Sequence, residues 1–254
     1  MACSSMFTVT YMFGPMYILG SGALLICRPS MFSLYVASPM ILSALLPPFV
    51  SPYIISCMRP MLDYFEYEQI IESSPVDVRQ KIRDGEKYLM TAQPHGVISF
   101  CGICSAVNGP EWLPLIKSAV ASALLYTPII KHVVGLFGLC AASKASLKKE
   151  LKKQSVVFHV GGIAELFLSS PTEEKLYLLK RKGFIKLALT EGVDVVPIYC
   201  FGNTSILTVV QTGLLASLSR KLQISLVSFF GKWRLPIPRD DKVRGSVNRD
   251  SFQN

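Results

Sequence analysis

From Met1 to Cys27 the chain carries no charged residue, and from Pro29 to Met58 there is none either; Arg28 and Arg59 are the only interruptions. Uncharged and mostly apolar side chains are at home in lipid, where the backbone must satisfy its own hydrogen bonds, which restricts a stretch like this to helix. A run of about 18 or more uncharged apolar residues is long enough to cross a bilayer. Phe7 to Cys27 qualifies. The second run contains Pro39, Pro47, Pro48 and Pro52, which break helical hydrogen bonding, so it is expected to form one short span or a re-entrant piece. Residues 1–58 therefore read as a membrane hairpin turning near Arg28-Pro29-Ser30. A cleaved signal peptide is the competing reading. It fails because no Lys or Arg precedes the first run and a second lipid-like run follows directly.

The remainder has a different composition. Half of the 254 residues are hydrophobic, yet the formal net charge is +9, and nearly all of the charge lies from Arg59 onward. Residues 59–254 are enough for one domain with its own core. Their lysine-rich character places that domain, and both ends of the hairpin, on the cytosolic side. Seven cysteines, odd in number and mostly within apolar sequence, fit reduced thiols rather than a disulfide framework. Cys101-Gly-Ile-Cys104 has no second pair and no close histidine pair to complete a zinc site, so no metal is expected and the cysteines read as packing residues. Ser143 caps a charged helix holding Lys144, Lys148, Lys149, Lys152 and Lys153. This face is solvated, or meets lipid headgroups or substrate phosphates; without interleaved aromatics it is no nucleic-acid surface.

The domain is organised around Tyr88-Leu-Met-Thr-Ala-Gln-Pro-His-Gly-Val-Ile-Ser99. Its first half reads as a buried strand. Pro94 bends the chain, and Gly96 allows a helix to begin close to a ligand. His95 sits at that corner, where an imidazole can act as a general base near neutral pH; a buried turn histidine is the alternative. Val156-Val-Phe-His-Val160 is a second strand, running into Gly161-Gly162-Ile-Ala-Glu165, and Asp194 to Tyr199 is a third, ending in Phe201-Gly202-Asn203. His159, between apolar neighbours, reads as core. Lys180-Arg181-Lys182-Gly183 is a cationic turn before a helix that Gly192 stops. Strands alternating with helices predict an α/β fold with a mostly parallel central sheet flanked by helices. Ligands bind such sheets at the carboxyl ends of the strands, where the unusual residues cluster. The connector from Asp63 to Ile71 is expected at the membrane surface, and the tail from Asp240 is expected to fray.

These residues resemble the type-2 diacylglycerol acyltransferases, with their monoacylglycerol acyltransferase and wax-ester synthase relatives. Gln93-Pro-His-Gly96 is similar to the family's His-Pro-His-Gly, and Gly161-Gly-Ile-Ala-Glu165 to its Gly-Gly-x-x-Glu. Arg181-Lys-Gly-Phe184, Pro197-x-Tyr199-x-Phe-Gly202 and Pro236-Ile-Pro238 follow in the family's order. Gln93 stands where relatives carry histidine, or glutamate in plants, and Asn203 where many carry an acid. The family continues past Pro-x-Pro with a further strand and helix.

The resemblance implies a glycerolipid-acyltransferase-like fold and acyl transfer from acyl-coenzyme A, a co-substrate rather than a bound cofactor, to a lipid hydroxyl. Diacylglycerol converted to triacylglycerol is the first expectation. The alternatives are monoacylglycerol, lysophospholipid or wax-ester synthesis, or a truncated inactive relative that binds lipid or a partner. His95 would be the base, N–H groups at the helix start after Gly96 would hold the oxyanion, and Glu165 would orient His95 or hold the acceptor. Gln93, Pro94, Gly96, Gly161, Gly162 and Asn203 would line the substrate site, and Arg181 and Lys182 would meet coenzyme A phosphates. The expected setting is the endoplasmic reticulum membrane or a lipid droplet, as a monomer or homo-oligomer.

Overall fold

The computed structural model describes residues 1–71, 75–168, 173–211 and 228–247. Residues 72–74, 169–172, 212–227 and 248–254 lie outside them. The strands are β1 (Glu68–Ile71), β2 (Tyr88–Gln93), β3 (Ile116–Val120), β4 (Cys140–Ala141), β5 (Ser155–His159), β6 (Asp194–Phe201), β7 (Thr208–Val209), β8 (Phe229–Phe230) and β9 (Arg244–Val247). Seven of them form one sheet in the order β1-β9-β6-β2-β5-β3-β4, while β7 and β8 pair separately. Neighbours are parallel except at β6–β9, which is antiparallel. Every residue of β2 is buried, as a central parallel strand covered on both faces must be.

The helices are α1 (Ala2–Cys27), α2 (Met31–Leu45), α3 (Pro52–Ser56), α4 (Pro60–Tyr64), α5 (Pro75–Arg83), α6 (Phe100–Asn108), α7 (Ser122–Tyr126), α8 (Ile130–Gly135), α9 (Lys144–Leu151), α10 (Gly162–Leu166) and α11 (Gly183–Glu191). Ser143 caps α9 by accepting from the Ser146 N–H, and Gly192 closes α11 in the left-handed conformation, both as local chemistry dictates. The largest core cluster joins α6 to the hairpin base through Phe7, Ile55, Met61, Phe65 and Phe100.

Glu68–Ile71 forms an edge strand, its register with β9 pairing Glu68 with Arg244. One expectation is corrected. Arg244–Val247 does not fray: it lies between β1 and β6. Both segments are too polar to advertise burial. Backbone pairing holds them, helped by Glu68, whose carboxylate takes the Lys242 and Arg244 side chains at 2.7 and 2.8 Å.

The hairpin turns where expected. Ser30 and Ser33 form a capping box at the start of α2, and Tyr17 donates to the Val36 carbonyl across the pair. Among the described residues α1 alone is long and apolar enough to cross a membrane. The 15 residues of α2 extend only about 22 Å, short of a bilayer core of about 30 Å. Leu19, Ile26 and Met31 are 75%, 81% and 82% exposed. At its base the hairpin is anchored: Phe7 is buried against Phe137 with ring centroids 6.1 Å apart, Thr8 donates to the Pro236 carbonyl, and the Ile129 N–H donates to Ser43.

Candidate active site

β2, β5 and β6 deliver their carboxyl ends to one place. The Gln93–Pro94 peptide is cis and turns the chain out of β2, so that His95 begins the corner. Its Nδ1 lies 2.7 Å from the Gly96 carbonyl. A carbonyl can only accept, so Nδ1 carries a proton, and in the neutral ring the lone pair is on Nε2. The ring is half-buried. One nitrogen is thereby fixed as donor to the protein, and in the neutral tautomer the other is the acceptor.

Glu165 and His95 meet, through the backbone. The carboxylate, 1% exposed, accepts the His95 N–H at 2.6 Å and the Tyr177 N–H at 3.3 Å. It therefore holds the corner that presents the imidazole and the loop that covers the strand ends. Gly161 is glycine because the Glu165 side chain folds back over it: a Cβ there would overlap the carboxylate. Gly162 adopts φ +57, the left-handed turn that aims α10 back toward β2.

Asn203 has the equivalent task from the β6 end. Its Oδ1 accepts the Cys101 N–H at 3.1 Å, and its Nδ2 donates to the carbonyls of His95 and Pro94. One side chain must both donate and accept here, which an amide can do and a carboxylate cannot. It lies so close over Gly96 that a Cβ would sit 2.7 Å from the Asn203 carbonyl oxygen, and Gly96 takes φ +62. Asn203 is thus committed to the protein's own backbone. The helix start is also farther along than its sequence suggests. α6 begins at Phe100, and its Cys101 and Gly102 N–H groups are already taken by Asn203 and by the Ser99 hydroxyl. They hold the corner rather than stand open for an oxyanion.

Pro94 is buried, and Gln93 is buried with its Oε1 lacking a hydrogen-bond partner. Arg181 reaches the site: its guanidinium lies 5.2 Å from the Tyr177 ring centroid and 3.4 Å from the Gly161 carbonyl. Lys182 is exposed at the N-terminal boundary of α11. Among the described residues no group of His, Cys, Asp and Glu could hold a metal ion. All seven cysteines are free; burial pushes the Cys104 thiol up, and its hydrogen bond with Cys101 together with burial pushes Cys200 up, so both are inert packing groups.

His159 is the residue that sequence reasoning assigned to the core. Its ring packs edge-on against His95, centroids 4.5 Å apart at 68°. Burial first, and the neighbouring His95 second, hold it well below the usual imidazole range. The available signal was its place immediately before Val160-Gly161-Gly162, at the ligand-facing edge of the sheet.

Comparison with known proteins follows this geometry. The family model described as diacylglycerol acyltransferase matches residues 64–235, the stretch containing all three corners. The chain is 38% identical over 129 residues to 2-acylglycerol O-acyltransferase 3 of Homo sapiens, covering 47% of this chain and 38% of that one. It is 33% identical over 182 residues to diacylglycerol O-acyltransferase 2 of Dictyostelium discoideum, covering 68% and 53%. With acyl-CoA wax alcohol acyltransferase 1 of Mus musculus it shares 35% over 130 residues, covering 48% and 40%. The match spans about half or less of each relative's length. No solved structure matches the chain. The match to the family model covers well over half of the sequence, and the chain belongs to the diacylglycerol acyltransferase family.

Proposed function

We propose that the protein is an acyl-coenzyme A-dependent O-acyltransferase that converts diacylglycerol to triacylglycerol, with His95 as general base. The observation that carries this reading is the Nδ1 contact to the Gly96 carbonyl, which in the neutral ring leaves Nε2 as the proton acceptor. Nε2 takes the proton of the acceptor hydroxyl as its oxygen attacks the thioester carbonyl. The C–O bond forms, the C–S bond breaks, and the proton passes from Nε2 to the departing coenzyme A sulfur. The thioester is already activated, so no enzyme nucleophile is needed. Glu165 acts by fixing the His95 backbone, and Asn203 by fixing the same segment from its carbonyl side. Arg181 is the cation best placed to meet a coenzyme A phosphate; Lys182 stands next to it. The α1–α2 hairpin keeps the domain at a membrane, consistent with the exposed apolar side chains along it. The lipid acceptor arrives from the bilayer and coenzyme A from the cytosol. The endoplasmic reticulum is the compartment that suits this chemistry.

A second reading changes the acceptor to a monoacylglycerol or a wax alcohol. It is favoured by the names of two of the relatives. Microsomes containing the wild type or His95→Ala, given labelled acyl-coenzyme A and a panel of diacylglycerol, monoacylglycerol and long-chain alcohol, separate the readings by product. Triacylglycerol formed by the wild type and lost in His95→Ala is the expected result. Equal turnover by both forms rejects His95 as the base.

A further inference from the structure

We propose that His159 is a positioning residue for His95: its imidazole packs edge-on against the proposed catalytic ring, keeps that ring turned so that Nδ1 stays on the Gly96 carbonyl, and presents a dipole to the imidazolium formed when Nε2 takes a proton. The inference rests on His95 being the base. Three observations lead to it. β5 pairs with β2 so that His159 stands opposite Ala92, on the strand that leads into the His95 corner, and the two imidazoles touch edge-on at 4.5 Å. Next, the His159 Nδ1 is shut off from solvent with no well-formed hydrogen bond, the ring having only a backbone interaction with Ala92 that weakly opposes the effect of burial. A buried polar atom of this kind is unfavourable and calls for an explanation; an apolar side chain would fill the space without that cost. Finally, burial and His95 both disfavour a charge on His159. The group behind the base is therefore polar but uncharged. When His95 becomes a cation, the dipole of the uncharged imidazole packed against it is the available compensation.

The test uses the full chain in lipid nanodiscs. The sequence holds only three histidines, so histidine-selective ¹⁵N labelling reports a small set of imidazoles, assigned by His132→Gln and His159→Phe. The wild type is expected to show His95 as a single Nδ1-protonated tautomer at neutral pH, and His159→Phe to show a mixture. In steady-state assays His159→Phe is expected to lower kcat about 10- to 100-fold with KM for acyl-coenzyme A within about twofold. Adding it to His95→Ala should cause no further loss, because the residue acts through His95. If phenylalanine prevents folding, His159→Leu replaces it with the same expectations. An unchanged His95 tautomer in the folded variant, or losses that multiply in the double variant, overturns the proposal. Should no form turn over acyl-coenzyme A, the catalytic reading fails, while the tautomer measurement still decides whether His159 sets the state of His95.

Discussion

The ends of β2 and β5 lie side by side and treat their polar side chains in opposite ways. At the β2 corner the imidazole is half-buried and the backbone is tied down: the His95 N–H goes to Glu165 and its carbonyl to Asn203. At the β5 corner the side chain is turned inward, and the Glu165 carboxylate is buried against backbone N–H groups of two other segments. One corner presents an imidazole; the other immobilises it. The placement of His95 is thus a property of backbone hydrogen bonds, and with His95 as the proposed base, glycine and amide positions should be as sensitive as the base itself.

Removing the displayed group is the largest effect expected. His95→Ala should lower kcat by about 10²- to 10⁴-fold, the range for loss of a general base, while thermal unfolding stays near that of the wild type; a loss of stability equal to the loss of activity would put His95 among the structural residues. Gly161→Ala tests the immobilising corner. Its new Cβ overlaps the Glu165 carboxylate, and displacing that side chain should cost about 1–3 kcal/mol of stability, read by chemical denaturation. Asn203→Asp should cost a similar amount, about 1–3 kcal/mol, because the donor to the His95 carbonyl becomes an oxygen facing an oxygen; Asn203→Asp of unchanged stability and activity would show that the staple is dispensable.

A pH effect follows from His159. Its folded-state pKa lies well below the ordinary 6.5, so the unfolded chain binds a proton that the folded chain does not. The related stability is present above pH 6.5 and is lost as pH falls below it, at up to about 1.4 kcal/mol per pH unit. Denaturation midpoints compared between pH 7 and pH 5.5 should show this loss in the wild type and a smaller one in His159→Phe. The smallest effect is at Lys182. Exposed and outside both corners, it should change stability by no more than about 0.5 kcal/mol on substitution by alanine, and any rise in KM for acyl-coenzyme A should be smaller than that of Arg181→Ala.

Much of this was legible before the tertiary structure. The hairpin, the buried strand at Tyr88, the helix caps at Ser143 and Gly192 and the clustering of unusual residues at three strand ends are consequences of local periodicity, capping and glycine chemistry. The edge strand at Glu68 and the inner strand at Arg244 were not, because strand pairing between segments 176 positions apart leaves no local pattern when the side chains are polar. His159 is enclosed, as its apolar neighbours along the strand predict; what they do not say is which ring stands across from it.

The sequence by itself determined which residues could act, since only certain side chains move protons or tolerate left-handed backbone, and it determined that the chain opens with a segment suited to lipid. Only the tertiary structure decided what each residue does. Glu165 accepts from the His95 amide rather than its ring, Asn203 ties the same segment to α6, and His159 packs against His95. These assignments depend on distances between atoms far apart in the chain, which burial of the sheet's two faces and pairing of its strands bring into contact.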